Sequence, residues 1–290
     1  MPTRFQVASG RAVLAAEVHG QGAPVVFLHA NVCDSRMWQA QLARVSDTHS
    51  AIAYDRRGFG QTLGAAEPHS SVADLMAVID LLAGGDTPVI LVACSRGGRI
   101  ALDAALRHPE RVRGLALIAP GISGAPAPRH APDITARLAA VQAARAAGER
   151  DHANALLAHL WLDGPLAQDG RVAGAARELF LDMNGIALAA PPIGRELDDE
   201  AAHARLADIG MPTLVAWGSL DFPHIQARCE GLAARLPDAQ GVKLDGTAHL
   251  PSLERPEAIS NLLTGFLARC EGARQDQAPG NRGLEADGVS

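Results

Sequence analysis

The sequence predicts an α/β fold, a mostly parallel central sheet flanked by helices and broken by a helical insertion. Three observations carry this. Apolar strand-length runs alternate with helical repeats from about residue 12 to 120, the alternation stops over 121–207 where the chain is Ala-rich and helical, and it resumes at 213. Such alternation builds βαβ units, whose parallel sheet has both faces covered by helices.

Residues 12–18 (AVLAAEV) and 25–29 (VVFLH) read as strands around the turn HGQGAP. Over 35–46, Met37, Trp38, Leu42 and Val45 recur at helical spacing. Residues 51–54 (AIAY) form a short buried strand, followed by the glycine-punctuated loop DRRGFGQT. The spacing of Val72, Leu75, Met76, Ile79 and Leu82 predicts a helix over 70–83. PVILVAC (88–94) is apolar throughout, as a strand buried on both faces must be. RIALDAALRHP is a helix ended by Pro109, and RVRGLALIAP (111–120) is another apolar strand. After the insertion come the strand TLVAWG (213–218), a helix near 224–236, the strand GVKL (241–244) and a helix from about 256 to 269. The sheet is therefore expected to be shared by 1–120 and 208–270, with 121–207 as a helical unit between them. Residues 271–290 are polar and glycine-rich and are expected to be disordered.

Composition narrows the function classes. With 48% hydrophobic and 20% charged residues the chain can bury a sizeable core, and with aromatics at 3% that core must be filled by Ala, Val, Leu and Ile. A net charge of −6 without a basic stripe argues against a nucleic-acid partner. No run of 18 apolar residues exists, so no membrane span is expected. The first residues also lack the apolar segment of a secretory signal, so a cytoplasmic location is expected. Cys33, Cys94, Cys229 and Cys270 show neither CxxC pairing nor zinc spacing, so no metal is expected. A bond between Cys33 and Cys94 stays open, and so does the oligomeric state.

One stretch carries chemistry. Ser95 stands in LVACSRGG, where a buried strand meets a helix. A serine on such a tight turn is a nucleophile elbow, usually G-x-S-x-G, and here Ala93-Cys94-Ser95-Arg96-Gly97 with Gly98 after it. Small residues are required because the serine backbone is strained and neighbouring elements approach it closely. A serine nucleophile needs a base and a group that orients the base. In the chain order Ser, acid, His, Asp221 follows TLVAWG by three residues and His249 follows GVKL by five. Both fall at strand carboxyl ends, the edge where open α/β sheets collect their sites. Two amides are candidates for an oxyanion hole: that of Arg96, and that of Asn31 in the loop FLHANVCDSRMW, with Val32 as the neighbouring possibility.

Five segments in order, LHANV, YDRRGFGQT, ACSRGG, WGSLD and GTAHLPSLERPE, make the chain resemble the α/β-hydrolase superfamily over about residues 12–270, in particular its compact, cap-bearing serine esterases and lactonases. The resemblance implies an α/β-hydrolase fold, Ser95 as nucleophile, His249 as base, Asp221 as the acid that orients it, and a helical cap over the site at about 121–207. Three departures alter the pocket wall: His29-Ala30 replaces the usual His-Gly, Ala93 replaces the first elbow glycine, and Arg96 stands where methionine or glutamine is common. Arg96 either attracts a substrate carboxylate or points away.

The expected reaction is hydrolysis of a small carboxylic ester by acyl-enzyme chemistry, with no cofactor. Hydrolysis of a lactone or enol-lactone, and cleavage of a carbon–carbon bond, are alternatives on the same triad, because the cap sets the substrate. A non-catalytic ligand-binding protein is the alternative of another class. Trp161, Phe180 and Met183 are candidate pocket residues, although their helical spacing equally fits core packing. His29 reads as a buried loop organiser, Asp55 and Arg56 as loop-fixing residues, and His152, His159 and His203 as surface residues.

Overall fold

The computed structural model describes residues 2–277. Its centre is a nine-stranded sheet: β1 (Thr3–Ser9), β2 (Ala12–His19), β3 (Pro24–Leu28), β4 (Ser50–Tyr54), β5 (Leu63–Gly64), β6 (Val89–Cys94), β7 (Val112–Ile118), β8 (Thr213–Gly218) and β9 (Ala239–Leu244). The order is β1-β2-β4-β3-β6-β7-β8-β9, with β5 paired to β2. Pairing is antiparallel where β2 meets β1, β4 and β5, and parallel from β4 onward. The parallel strands β3, β6 and β8 are buried along their whole length, which is why they read as unbroken apolar runs.

Around the sheet lie α1 (Gln39–Val45), α2 (Ser71–Leu82), α3 (Arg96–Arg107), α7 (Pro223–Arg235), α8 (Pro251–Glu254) and α9 (Pro256–Gln277), while α4 (Pro132–Ala146), α5 (Arg150–Ala158) and α6 (Ala175–Ala189) are inserted between β7 and β8. The inserted helices pack on one another in chain order, and α5 runs on into a single π-helical turn over His159–Asp163. No helix among the described residues is long and apolar enough to cross a membrane.

Register brings the strand ends together. Leu28 lies beside Ala93, Cys94 beside Ile118, Ile118 beside Ala216, and Gly218 beside Leu244. The loops that leave these carboxyl ends therefore share one edge.

The structure differs from the sequence reading in several places, four of which have a clear physical reason. β1 was not expected, because its outer position leaves all but Val7 and part of Ser9 exposed and so erases the apolar alternation that marks a strand. The expected helix of 35–46 opens with a 3₁₀ turn at Ser35–Trp38, capped by the Asp34 side chain on the Arg36 amide. α3 begins at Arg96, directly on Ser95, not at Arg99. The last helix continues to Gln277, so 271–277 are helical where disorder was expected, while 278–290 lie outside the described residues.

Candidate active site

Ser95 sits at φ 54°, ψ −115°, a region that side-chain-bearing residues rarely occupy. The backbone holds it there: its amide donates to Ile118 O at 3.0 Å, and its carbonyl accepts from Gly121 N at 2.8 Å and Arg99 N at 3.2 Å. The following glycine is needed for space, since a Cβ on Gly97 would stand 2.5 Å from the Leu28 carbonyl oxygen. Ala93 at the first small position is fully buried in β6. As the first residue of α3, Arg96 has one of the amides that a helix cannot satisfy internally.

The two loops after β8 and β9 are sewn to each other. Ser219 N donates to Leu244 O at 3.0 Å and Leu220 N to Thr247 O at 2.8 Å. Gly218 has no room for a side chain, because a Cβ would lie 2.2 Å from both the Thr247 and Ala248 carbonyl oxygens. This seam brings Asp221 to His249: the His249 Nδ1–H donates to Asp221 Oδ2 at 2.7 Å, with the two residues 1% and 2% exposed. Asp221 Oδ1 is fixed in turn by the Phe222 amide at 2.7 Å. That bond leaves Nε2 as the free face of the imidazole, and Nε2 is buried without a hydrogen-bond partner. The Cys94 thiol reaches the His249 carbonyl at 3.8 Å, so the histidine loop lies against the end of β6, next to Ser95.

The loop after β3 is organised from below. His29 is fully buried, its Nδ1 donating to Ala30 O at 2.8 Å and its Nε2 accepting from Arg56 N at 3.0 Å. Burial, then the Arg56 charge, hold its pKa well below the ordinary histidine value, which leaves it a neutral brace. Arg56 Nη2 donates to the carbonyls of His29 and Ala30 and to Asn31 Oδ1 at 3.2–3.3 Å. Asp55 accepts from Ser35 N at 2.9 Å and Gln61 N at 2.8 Å. Asn31 is exposed at the top of this loop.

The sequence pattern of the family described as "Alpha/beta hydrolase family" matches residues 25–262. The chain belongs to that family. Among its relatives is a putative carbamate hydrolase, RutD, of Variovorax paradoxus (strain S110), 31% identical over 279 residues that span 93% of this chain and 97% of that protein. A pimeloyl-(acyl-carrier protein) methyl ester esterase of Aromatoleum aromaticum is 31% identical over 207 residues, 61% of this chain and 74% of that protein. The fold is that of a thermophilic esterase from Thermogutta terrifontis, with a TM-score of 0.73 at 23% identity over 93% of this chain and 99% of that one.

In this hydrolase the insertion delivers one aromatic ring to the histidine. Trp161, on the π turn, has its ring centre 4.6 Å from that of His249 and 4.7 Å from that of Phe222. Of the other two expected pocket residues, Phe180 is fully buried, and Met183 is buried with its sulfur 3.5 Å from the Asp34 amide. The four cysteines are buried free thiols, so Cys33 and Cys94 are not bonded. The Arg96 side chain turns to Glu196 at 2.9 Å.

His159 corrects an expectation. It is buried, not on the surface, because it heads the π turn and faces Asp163 and Asp169 at 3.9 and 3.4 Å. Asp163 is itself saturated by the amides of Gly170 and Val172 and by Arg177, at 2.8–2.9 Å. Sequence reasoning missed Arg171 altogether. It donates to Leu162 O, Asp163 O, Gly246 O and the Glu254 carboxylate, and Glu254 accepts from Ala248 N at 2.8 Å. One arginine of the insertion thus grips the loop that carries His249. No local pattern marks such a partner, which lies 83 residues from Glu254.

Proposed function

We propose that this hydrolase cleaves a small carboxylic ester by acyl-enzyme chemistry, with Ser95 as nucleophile, His249 as base and Asp221 as the acid that orients it. The observation that carries the reading is the buried Asp221–His249 hydrogen bond, which leaves Nε2 unpartnered on a loop whose His249 carbonyl lies against Cys94, the residue before the strained Ser95. Binding alone has no use for that arrangement. The relatives named for carbamate and methyl ester hydrolysis act on acyl bonds of the same chemical kind.

The steps follow from the roles. His249 Nε2 takes the Ser95 proton as Oγ attacks the carbonyl carbon, and Asp221 stabilises the imidazolium that forms. The amides of Arg96 and Asn31 receive the oxyanion, each such donor lowering the barrier by about 3–4 kcal/mol. His249 then gives its proton to the leaving alcohol, and a water molecule repeats the sequence on the acyl-serine to release the acid. Helices α4–α6 with the π turn serve as the cap, and Trp161 forms its wall beside His249. The four free buried thiols suit a reducing, cytoplasmic setting.

Mixing the protein with 4-nitrophenyl acetate tests this. A burst of nitrophenol stoichiometric with enzyme is expected, and Ser95→Ala should remove both burst and turnover, a loss on the order of 10⁶-fold in kcat. Turnover that survives in Ser95→Ala would sink the assignment.

A further inference from the structure

Three donors converge on one carbonyl oxygen beneath the loop after β3. The Ala30 oxygen accepts from His29 Nδ1 at 2.8 Å, from the Cys33 amide at 3.3 Å and from Arg56 Nη2 at 3.2 Å. A carbonyl oxygen has two lone pairs, so this one is more than satisfied. The same Nη2 reaches the Asn31 side-chain oxygen at 3.2 Å and the His29 carbonyl at 3.3 Å. The guanidinium is itself seated: its carbon lies 4.7 Å over the centre of the Phe59 ring, and that ring stands 4.9 Å from the His29 imidazole. Outside glycine, positive φ occurs among the described residues only at Ser95 and Ala119, so Ala30 is aimed by hydrogen bonds and not by backbone strain.

The consequence falls on the other end of the same peptide. The Ala30–Asn31 unit is planar and trans, so its C=O and N–H point opposite ways. Donors that hold the Ala30 oxygen inward therefore turn the Asn31 N–H outward. Asn31 is exposed, and its N–H donates to no atom of the described residues. Asn31 and Arg96, whose amides are the two proposed oxyanion donors, line one cavity. The Val32 amide, the neighbouring possibility, has no such brace, because no described residue donates to the Asn31 carbonyl. Of the three donors on the Ala30 oxygen only Arg56 is a cation, since burial keeps His29 neutral. A cation on the oxygen draws electron density through the amide and makes its N–H a stronger donor.

We propose that Arg56 is a positioning residue of the oxyanion hole: through the Ala30–Asn31 peptide it aims and polarises the N–H that receives the developing negative charge. The proposal rests on the ester-hydrolase reading and adds a residue to it. Arg56 touches no reacting atom; it acts from the far side of the peptide, out of the loop after β4, and is only 8% exposed. The oxyanion exists in the transition state and not in the bound ester. Misaiming its donor therefore lowers kcat and leaves KM in place.

The test is Arg56→Met, which keeps an unbranched apolar stem and removes the guanidinium. Turnover of 4-nitrophenyl acetate is measured per active site, the sites being counted by exhaustive labelling with diisopropyl fluorophosphate. A fall in kcat of about tenfold to a hundredfold is expected, part of what a whole oxyanion donor is worth, with KM within about twofold of wild type. 1,1,1-Trifluoroacetone, whose adduct with a serine hydroxyl carries an oxyanion, should bind more weakly by a similar factor. A residue that served the fold alone would lower the Tm or the number of labelled sites and leave kcat per site and the ketone affinity where they were; that result overturns the proposal, as does a loss carried by KM. Should Arg56→Met fail to fold, Arg56→Gln decides on the same readouts, because its side chain is too short to reach the Ala30 oxygen from the same backbone position. Turnover that is lost in Ser95→Ala but unchanged per site in the Arg56 variant overturns the role of Arg56 and leaves the hydrolase reading standing. Turnover that survives in Ser95→Ala overturns that reading itself.

Discussion

The edge of the sheet and the insertion share one apolar core but add different polar contacts to it. At the edge, Ser95, Asp221 and His249 are fixed by backbone: strand register, amide–carbonyl bonds between loops, and glycines at Gly97 and Gly218 where a methyl group would collide. The insertion shares the apolar core through residues such as Leu160, Leu162, Phe180 and Met183, and adds charged pairs to it, with Arg36 on Asp182, Arg96 on Glu196, Arg107 on Asp198 and Glu200, and Arg171 on Glu254. Backbone bonds between buried strands are indifferent to salt and to small pH changes, whereas part-exposed ion pairs are screened and titrate. On the proposed reading, the first region carries the chemistry and the second walls the substrate.

The sharpest way to break that comparison is to remove charge from the edge without moving it. Asp221→Asn keeps the shape of the acid but offers His249 the wrong tautomer. A fall in kcat on the order of 10⁴-fold is expected, with Tm nearly unchanged, measured on an aryl acetate and by thermal melting. A large loss of Tm with only a modest loss of kcat would mean that Asp221 serves mainly the fold.

The insertion should answer in stability. In Arg171→Met the Glu254 carboxylate, its side chain 3% exposed, is left without its cation, and three backbone carbonyls lose a donor. A loss of about 3 kcal/mol by urea unfolding at pH 7 is expected. Burial already raises the Glu254 pKa, and losing Arg171 raises it further. A raised carboxylate favours the folded state below its unfolded value and loses that support as pH rises, so the deficit of the variant should shrink toward pH 4.5. A deficit constant from pH 7 to 4.5 would show that carbonyl contacts, not the ion pair, make the clasp.

A smaller effect belongs to the boundary between the regions. The imidazole of His224 packs against His130 and Phe222, and burial, with Arg228 and His130 adding to it, lowers its pKa to about 4. The unfolded chain takes up that proton near pH 6.5 and the folded chain does not until about pH 4, so stability falls as pH drops through this window. In His224→Gln the Tm should drop less between pH 7 and pH 4.5 than in wild type. An identical drop would place the acid sensitivity elsewhere, first at His29, which is also held neutral by burial.

The same division decides what a sequence discloses. Parallel strands buried on both faces had to be apolar, so β3, β6, β7 and β8 stood out, and the loops after them could be searched for chemistry. Order along the chain then led to Asp221 and His249, which the structure brings within 2.7 Å. β1 stayed hidden because an outer strand with one buried residue has no periodic signal. The ion pairs of the insertion stayed hidden for another reason: Arg96 and Glu196 lie 100 residues apart, and charge complementarity at that separation leaves no trace in local spacing. His159 reads as a surface histidine until the π turn rotates it inward against Asp163.

Trp161 is where the two regions touch, and it gives the finest discrimination. Its ring lies on the His249 imidazole, but it enters from the insertion on a π turn, with Gly164 beyond it pressed against the Leu220 carbonyl. If the insertion only shapes the pocket, Trp161→Leu removes wall area that substrate and transition state share. KM should then rise by a few-fold to about tenfold, the worth of one aromatic contact, while kcat changes by less than about twofold. If instead the ring holds the imidazole in place, kcat should fall and KM should stay, because the loss is felt only when Nε2 must meet the Ser95 proton. The arrangement favours the first outcome. Asp221 and the seam between the β8 and β9 loops already fix the imidazole, so the indole is not needed to orient it.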